Sequence, residues 1–171
     1  MIRALCILHE DDTLIQQHFQ KYRERKPWDF CWRIAIEGTV VSLVASICLS
    51  VFDVAERDIK LRFPDLLLLG VVIAPVLETL IFQALPIWIA RRCHASFSVQ
   101  VTASLIPFFL AHVIEGIGTG IAAGLVGGFY FAFTYAHWRE QGRWTAFWTT
   151  AVSHSIHNGI LIPLAFGLGE I

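Results

Sequence analysis

The chain is poor in charge and lacks the features that mark secreted or nucleic-acid-binding proteins. Charged residues make up 16% of its 171 positions, and 13 lysines and arginines against 14 acids leave a formal net charge of −1. Without a basic excess, no nucleic-acid partner is implied. The four cysteines, Cys6, Cys31, Cys48 and Cys93, have no short paired spacing. They read as reduced and structural, with neither a zinc motif nor a disulfide framework. The apolar run at residues 4–8 is too short for a signal-peptide core and runs into Glu10, Asp11 and Asp12. Insertion through the first transmembrane helix is therefore expected. No inverted-repeat symmetry relates the apolar runs, which weighs against a transporter with a Glu/His proton relay.

What is abundant is apolar. Hydrophobic residues reach 56% and mean hydropathy is +0.60, which places the protein in the membrane class. The expected fold is all-α, a polytopic membrane helix bundle of about five transmembrane helices over residues 34–52, 64–90, 97–113, 116–138 and 144–168. Residues 1–33 form a polar N-terminal segment, expected to be cytoplasmic, and residues 34–171 the transmembrane bundle. Residues 12–26 suit either a surface helix capped by Asp12 or Thr13 or a cytoplasmic tail. Glu37 follows Arg33 by one turn, and the two are expected to pair at the interface. Pro75 and Pro86 are expected to kink the second span.

Basic residues fix the orientation. Lys21, Arg23, Arg25 and Lys26, the Arg91–Arg92 turn and the Arg139/Arg143 turn all fall on one side. The loop at 53–62 holds three basic and three acidic residues, and the turn at 115–119 holds no basic one. The positive-inside rule then puts the N-terminus in the cytoplasm and the C-terminus outside. Trp28, Trp32, Trp88, Trp138, Trp144 and Trp148 lie near the same ends, as an aromatic belt would. Gly116, Gly120, Gly124 and Gly128 recur every fourth residue, a stripe along which another helix can approach closely. A partner within the chain is favoured over a second subunit.

Glu78 stands in the middle of the second apolar run, where a charge costs about 2.5–3.5 kcal/mol on insertion scales. Few polar groups reach its depth. At 1.5 Å per residue, Glu78 lies roughly 18 Å from the Arg91 end, His154 roughly 15 Å and His112 roughly 22 Å. His154 and Asn158 share a helix face, while His157 turns partly away. A glutamate and histidines in a dry pocket suit a Glu/His-activated water attacking a carbonyl, with His and Asn donors for the oxyanion. They also suit a metal site, or hydrogen bonding between helices and nothing more.

The residues Glu78-Thr79-Leu80-Ile81-Phe82-Gln83, Phe108 to His112 and His154 to Asn158 follow a known order and spacing. Over residues 64–165 the chain resembles the CPBP family, the CAAX proteases and bacteriocin-processing enzymes, which are glutamate-dependent intramembrane endopeptidases. The resemblance implies that Glu78 and His112 activate a water, and that His154 and Asn158 stabilise the oxyanion. It implies a membrane-associated peptide or protein substrate, no cofactor and no metal, and a bacterial or archaeal cytoplasmic membrane. The family pattern has a second glutamate and an arginine where this chain has Thr79 and Gln83. Losing both charges together is coherent, since losing one alone would strand a buried charge at roughly 3–5 kcal/mol. A Thr79–Gln83 hydrogen bond can then take over the scaffolding. Two rivals remain open at this point, a non-catalytic relative serving as an immunity or scaffold protein, and a metal-dependent membrane hydrolase using Glu78, His112, His154 and His157. The oligomeric state is not legible.

Overall fold

A computed structural model describes residues 19, 21, 22, 25–51 and 61–168. Most of the N-terminal segment, most of the suggested helix at 12–26 and most of the loop at 53–62 lie outside these residues. The described chain is helical, and five apolar helices run up and down through one bundle. Four are long enough to cross a membrane: Pro27–Ser50, Phe63–Arg92, Ile117–Arg139 and Arg143–Leu168. The third in order, Phe97–Val113, has 17 residues. This is the architecture of a multi-pass integral membrane protein.

The helix ends follow local chemistry. Pro27 and Pro64 occupy first-turn positions, where a missing N–H costs nothing. The first helix therefore begins seven residues before the expected apolar run, carrying Asp29 and Arg33 in its opening turns. Ser96 caps the third helix by accepting from the Val99 N–H. Gly116 and Gly142, both with φ near 142° (141° and 142°), make the turns before the fourth and fifth helices. A side chain would strain both positions. Gly116 therefore stands before the glycine stripe rather than in it.

Burial runs outside-in along the second helix. Leu69, Val72, Ile73, Leu80, Ile81 and Trp88 are all exposed, a lipid-facing stripe. Its opposite face buries Pro75, Thr79, Gln83 and Ile87. Five tryptophans are exposed, and Trp32, Trp88 and Trp144 each lie under an arginine (Arg33, Arg92 and Arg143) at 4.5–5.6 Å. Trp138 departs from the expected belt, because it is 1% exposed and packs edge-on against Phe30 in the core.

The glycine stripe packs within the chain. A Cβ on Gly120 would meet Val113, one on Gly124 would meet His112 and Phe109, and one on Gly128 would meet Phe108 and Leu105. All five neighbours belong to the third helix, so the fourth helix lies backbone-close against it.

Three π-helical segments interrupt the α-helices: Leu68–Ile73, Thr79–Ala84 and Gly120–Gly127. The first two end two residues before Pro75 and Pro86. Ala74 donates to the carbonyl five residues back, Leu69. Pro75, next in that register, has no N–H to give Gly70. The expected kinks are thus taken up as wider turns. Each π segment has one carbonyl bound by a side chain from another helix. Asn158 Nδ2 donates to Gly70 at 2.8 Å, Ser104 Oγ to Phe82 at 2.8 Å, and Ser42 Oγ to Ala122 at 2.9 Å. In a lipid environment these bonds replace what water would otherwise supply.

Glu37 does not pair with Arg33. Arg33 binds Asp29 at 2.7 Å, and Glu37 accepts from Lys21 at 2.8 Å, Tyr22 at 2.6 Å and Tyr130 at 3.2 Å. Phe19 adds a ring contact to Phe133 at 4.2 Å. The short stretch before the first helix is strapped onto the bundle through this carboxylate. Burial, and the Glu37 carboxylate beside it, push the Tyr22 pKa upward.

Candidate active site

Glu78 closes the short α-helical turn between the two π segments of the second helix. Its position is held from both sides, by Asn158 on the Gly70 carbonyl before it and by Ser104 on the Phe82 carbonyl after it. The carboxylate is 25% exposed, and its Oε2 lies 3.7 Å from His154 Nε2. That is longer than a direct N–H···O bond. Catalytic contacts of this length commonly tighten when substrate binds.

His154 is 3% exposed, and Phe131 stacks on it at 3.9 Å. Phe108 touches its edge at 6.0 Å and stacks loosely on His112 at 4.3 Å. Phe108 thus stands between the two histidines. His112 Nδ1 lies 2.9 Å from the Phe108 carbonyl oxygen. A carbonyl only accepts, so Nδ1 carries the proton of this bond.

Of the four residues expected at the site, Glu78 and His154 are brought together, and His112 is linked to them through Phe108. His154 is thus a histidine in close reach of the Glu78 carboxylate. Asn158 shares the His154 face but gives an N–H to the Gly70 backbone, which ties the fifth helix to the second. His157 points elsewhere, with its Nδ1 3.1 Å from Thr39 Oγ1 on the first helix. The expected Thr79–Gln83 hydrogen bond does not form. Thr79 Oγ1 and both amide atoms of Gln83 are buried without a partner. Among the described residues, no three His, Cys, Asp or Glu side chains gather as a metal-binding set.

Sequence reading missed Ser104 and Ser42. A serine on an apolar helix facing the turn before a proline was the available signal for Ser104. Ser42 caps a π segment that has no proline, and nothing in its own sequence marks it.

No family model, curated protein or solved structure matches the chain. Its likeness to the CPBP family rests on the three short motifs alone.

Proposed function

We propose that this protein is a glutamate-dependent intramembrane endopeptidase cleaving a membrane-associated peptide or protein. The observation that carries the reading is the Glu78 carboxylate 3.7 Å from His154 Nε2 inside the helix bundle. In the proposed reaction Glu78 takes a proton from a water whose oxygen attacks the scissile carbonyl. The proton passes to the departing amine as the C–N bond breaks. His154 beside the carboxylate orients it and steadies the charge that develops. His112 offers its Nε2 to the same chemistry from beyond Phe108. Asn158 acts as a positioning residue, fixing the turn that presents Glu78. The distribution of basic residues supports a cytoplasmic N-terminus, and the family resemblance supports a bacterial or archaeal cytoplasmic membrane.

A second reading is favoured by one observation. Asn158 is engaged with backbone and Thr79 and Gln83 carry no charge, which suits a non-catalytic relative that binds a peptide as an immunity or scaffold protein. Cleavage of a membrane-embedded peptide in proteoliposomes separates the two. Glu78→Gln is expected to lower the rate at least a hundredfold with an unchanged melting profile. Full activity of that variant would sink the catalytic assignment.

A further inference from the structure

The interior beside the second π segment holds polar atoms that no hydrogen bond uses. Thr79 Oγ1, Gln83 Oε1 and Nε2, Thr150 Oγ1 and His154 Nδ1 are all buried and unpartnered. Thr79, Gln83 and Thr150 are 0% exposed and His154 is 3% exposed. Two other buried hydroxyls on the fourth and fifth helices bond within their own helix. Thr134 donates to the Tyr130 carbonyl at 2.7 Å and Ser153 to the Thr149 carbonyl at 2.8 Å. Thr79 and Thr150 forgo that local bond.

These groups share one level of the bundle. The second and fifth helices run antiparallel, as three contacts show. Phe63 meets Phe166, a Cβ on Gly159 would meet Val71 at 3.7 Å, and Glu78 meets His154. One turn beyond His154, Thr150 therefore falls level with residues 79–83 of the second helix. Thr150 and His154 lie four apart on one helix face, and Thr79 and Gln83 are likewise four apart and both fully buried. The His154 ring offers Nε2 to Glu78 and keeps Nδ1 inside the bundle.

The donor set says what fits there. Two hydroxyls, one primary amide and one imidazole nitrogen supply both donors and acceptors and no formal charge. A bare cation would call for a carboxylate, and an anion for a basic group. Water needs two to four partners and must donate as well as accept. We propose that the protein holds a resident cluster of internal water at this level, bound by Gln83, Thr79, Thr150 and His154 Nδ1. The site shares His154 with the hydrolytic reading but does not rest on it, and under that reading it stores water one imidazole ring away from Glu78. It also gives Thr79 and Gln83 a role of their own.

The test uses the full chain in lipid nanodiscs, with water-edited solid-state NMR and thermal unfolding on the wild type, Gln83→Leu and Thr150→Val. Magnetisation is expected to pass from water to the Gln83 side-chain amide as readily as to residues at the helix ends. Both variants are expected to melt several degrees lower, because each leaves the bound water and its other partners short of a bond. A Gln83 amide dark to water overturns the proposal, whichever way the melting temperatures move. So do variants that melt higher than the wild type, since a dry site gains from losing an unpaired polar group. The wild-type NMR signal decides the matter if a variant fails to fold. Peptide cleavage is not needed for either readout, so failure here is distinct from failure of the protease assignment.

Discussion

Gly124→Ala tests the packing that positions His112. The added Cβ would stand 2.9 Å from His112 Cβ, 3.1 Å from Phe109 Cα and 3.2 Å from the Phe109 oxygen. Two of these neighbours are backbone, so no side-chain rotation relieves the clash and the two helices must separate. Overpacking of this kind costs about 1–3 kcal/mol. The alanine recovers about 0.5–1 kcal/mol of helix propensity, leaving a net loss of up to about 2.5 kcal/mol. For a chain of this size, each kcal/mol lowers the melting temperature by roughly 2–4 °C. Gly127→Ala is the matched control. Its Cβ would meet only Phe131 at 3.4 Å and His157 Nε2 at 3.7 Å, ordinary contacts. That variant is expected to melt at or slightly above the wild type. Thermal unfolding in one detergent, followed by intrinsic fluorescence, reads both. Gly124→Ala stable with Gly127→Ala destabilised would reverse the assigned helix face and refute the reasoning.

Further predictions concern the caps and the strap. Asn158→Leu strands the Gly70 carbonyl and is expected to cost about 1–3 kcal/mol. Pro75→Ala restores an N–H in that turn, so the Asn158→Leu penalty should shrink in its background. Equal penalties in both backgrounds, by double-mutant cycle, would break the proposed link. Glu37→Gln removes a charge-assisted acceptor from Lys21, Tyr22 and Tyr130 and should loosen the strap, read as faster limited proteolysis before residue 27. Tyr22 gives a pH test. Its raised pKa means the strap's contribution is complete below about pH 10, the ordinary tyrosine value, and is lost as pH climbs beyond it. Phenolate absorbance should show Tyr22 titrating earlier in Glu37→Gln than in the wild type, with Tyr22→Phe identifying its share of the signal.

The span ends were legible because apolar runs, flanking arginines and turn glycines agree with one another. The start at Pro27 was hidden by Asp29 and Arg33, whose charges lower local hydropathy although an i,i+4 pair keeps them compatible with a helix. Pro75 and Pro86 announced a disturbance in the second helix. Whether it became a bend or a wider turn depended on Asn158 and Ser104, which lie 88 and 22 residues from the carbonyls they cap. The glycine spacing revealed a close helix contact, and its depth pattern left the partner to be found. The site was half legible. Depth along the helices placed Glu78, His112, His154 and Asn158 at overlapping levels, but depth does not give azimuth. The approach of His154 to Glu78 is set by how the fifth helix rotates against the second. Glu37 makes the same point, since the local rule favours Arg33 and the chain brings Lys21, Tyr22 and Tyr130 from elsewhere.

The brevity of the third helix has a consequence for the surrounding lipid. Its 17 residues rise about 25 Å, a few ångströms less than a typical hydrocarbon core of about 30 Å. The membrane must thin beside it, or headgroups and water must dip inward at its ends. His112 is the second-last residue of that helix, so the dip falls beside one of the candidate site's histidines. Acyl-chain length thereby becomes a setting on the site, and bilayers of short-chain lipids should bring the aqueous boundary nearest to it.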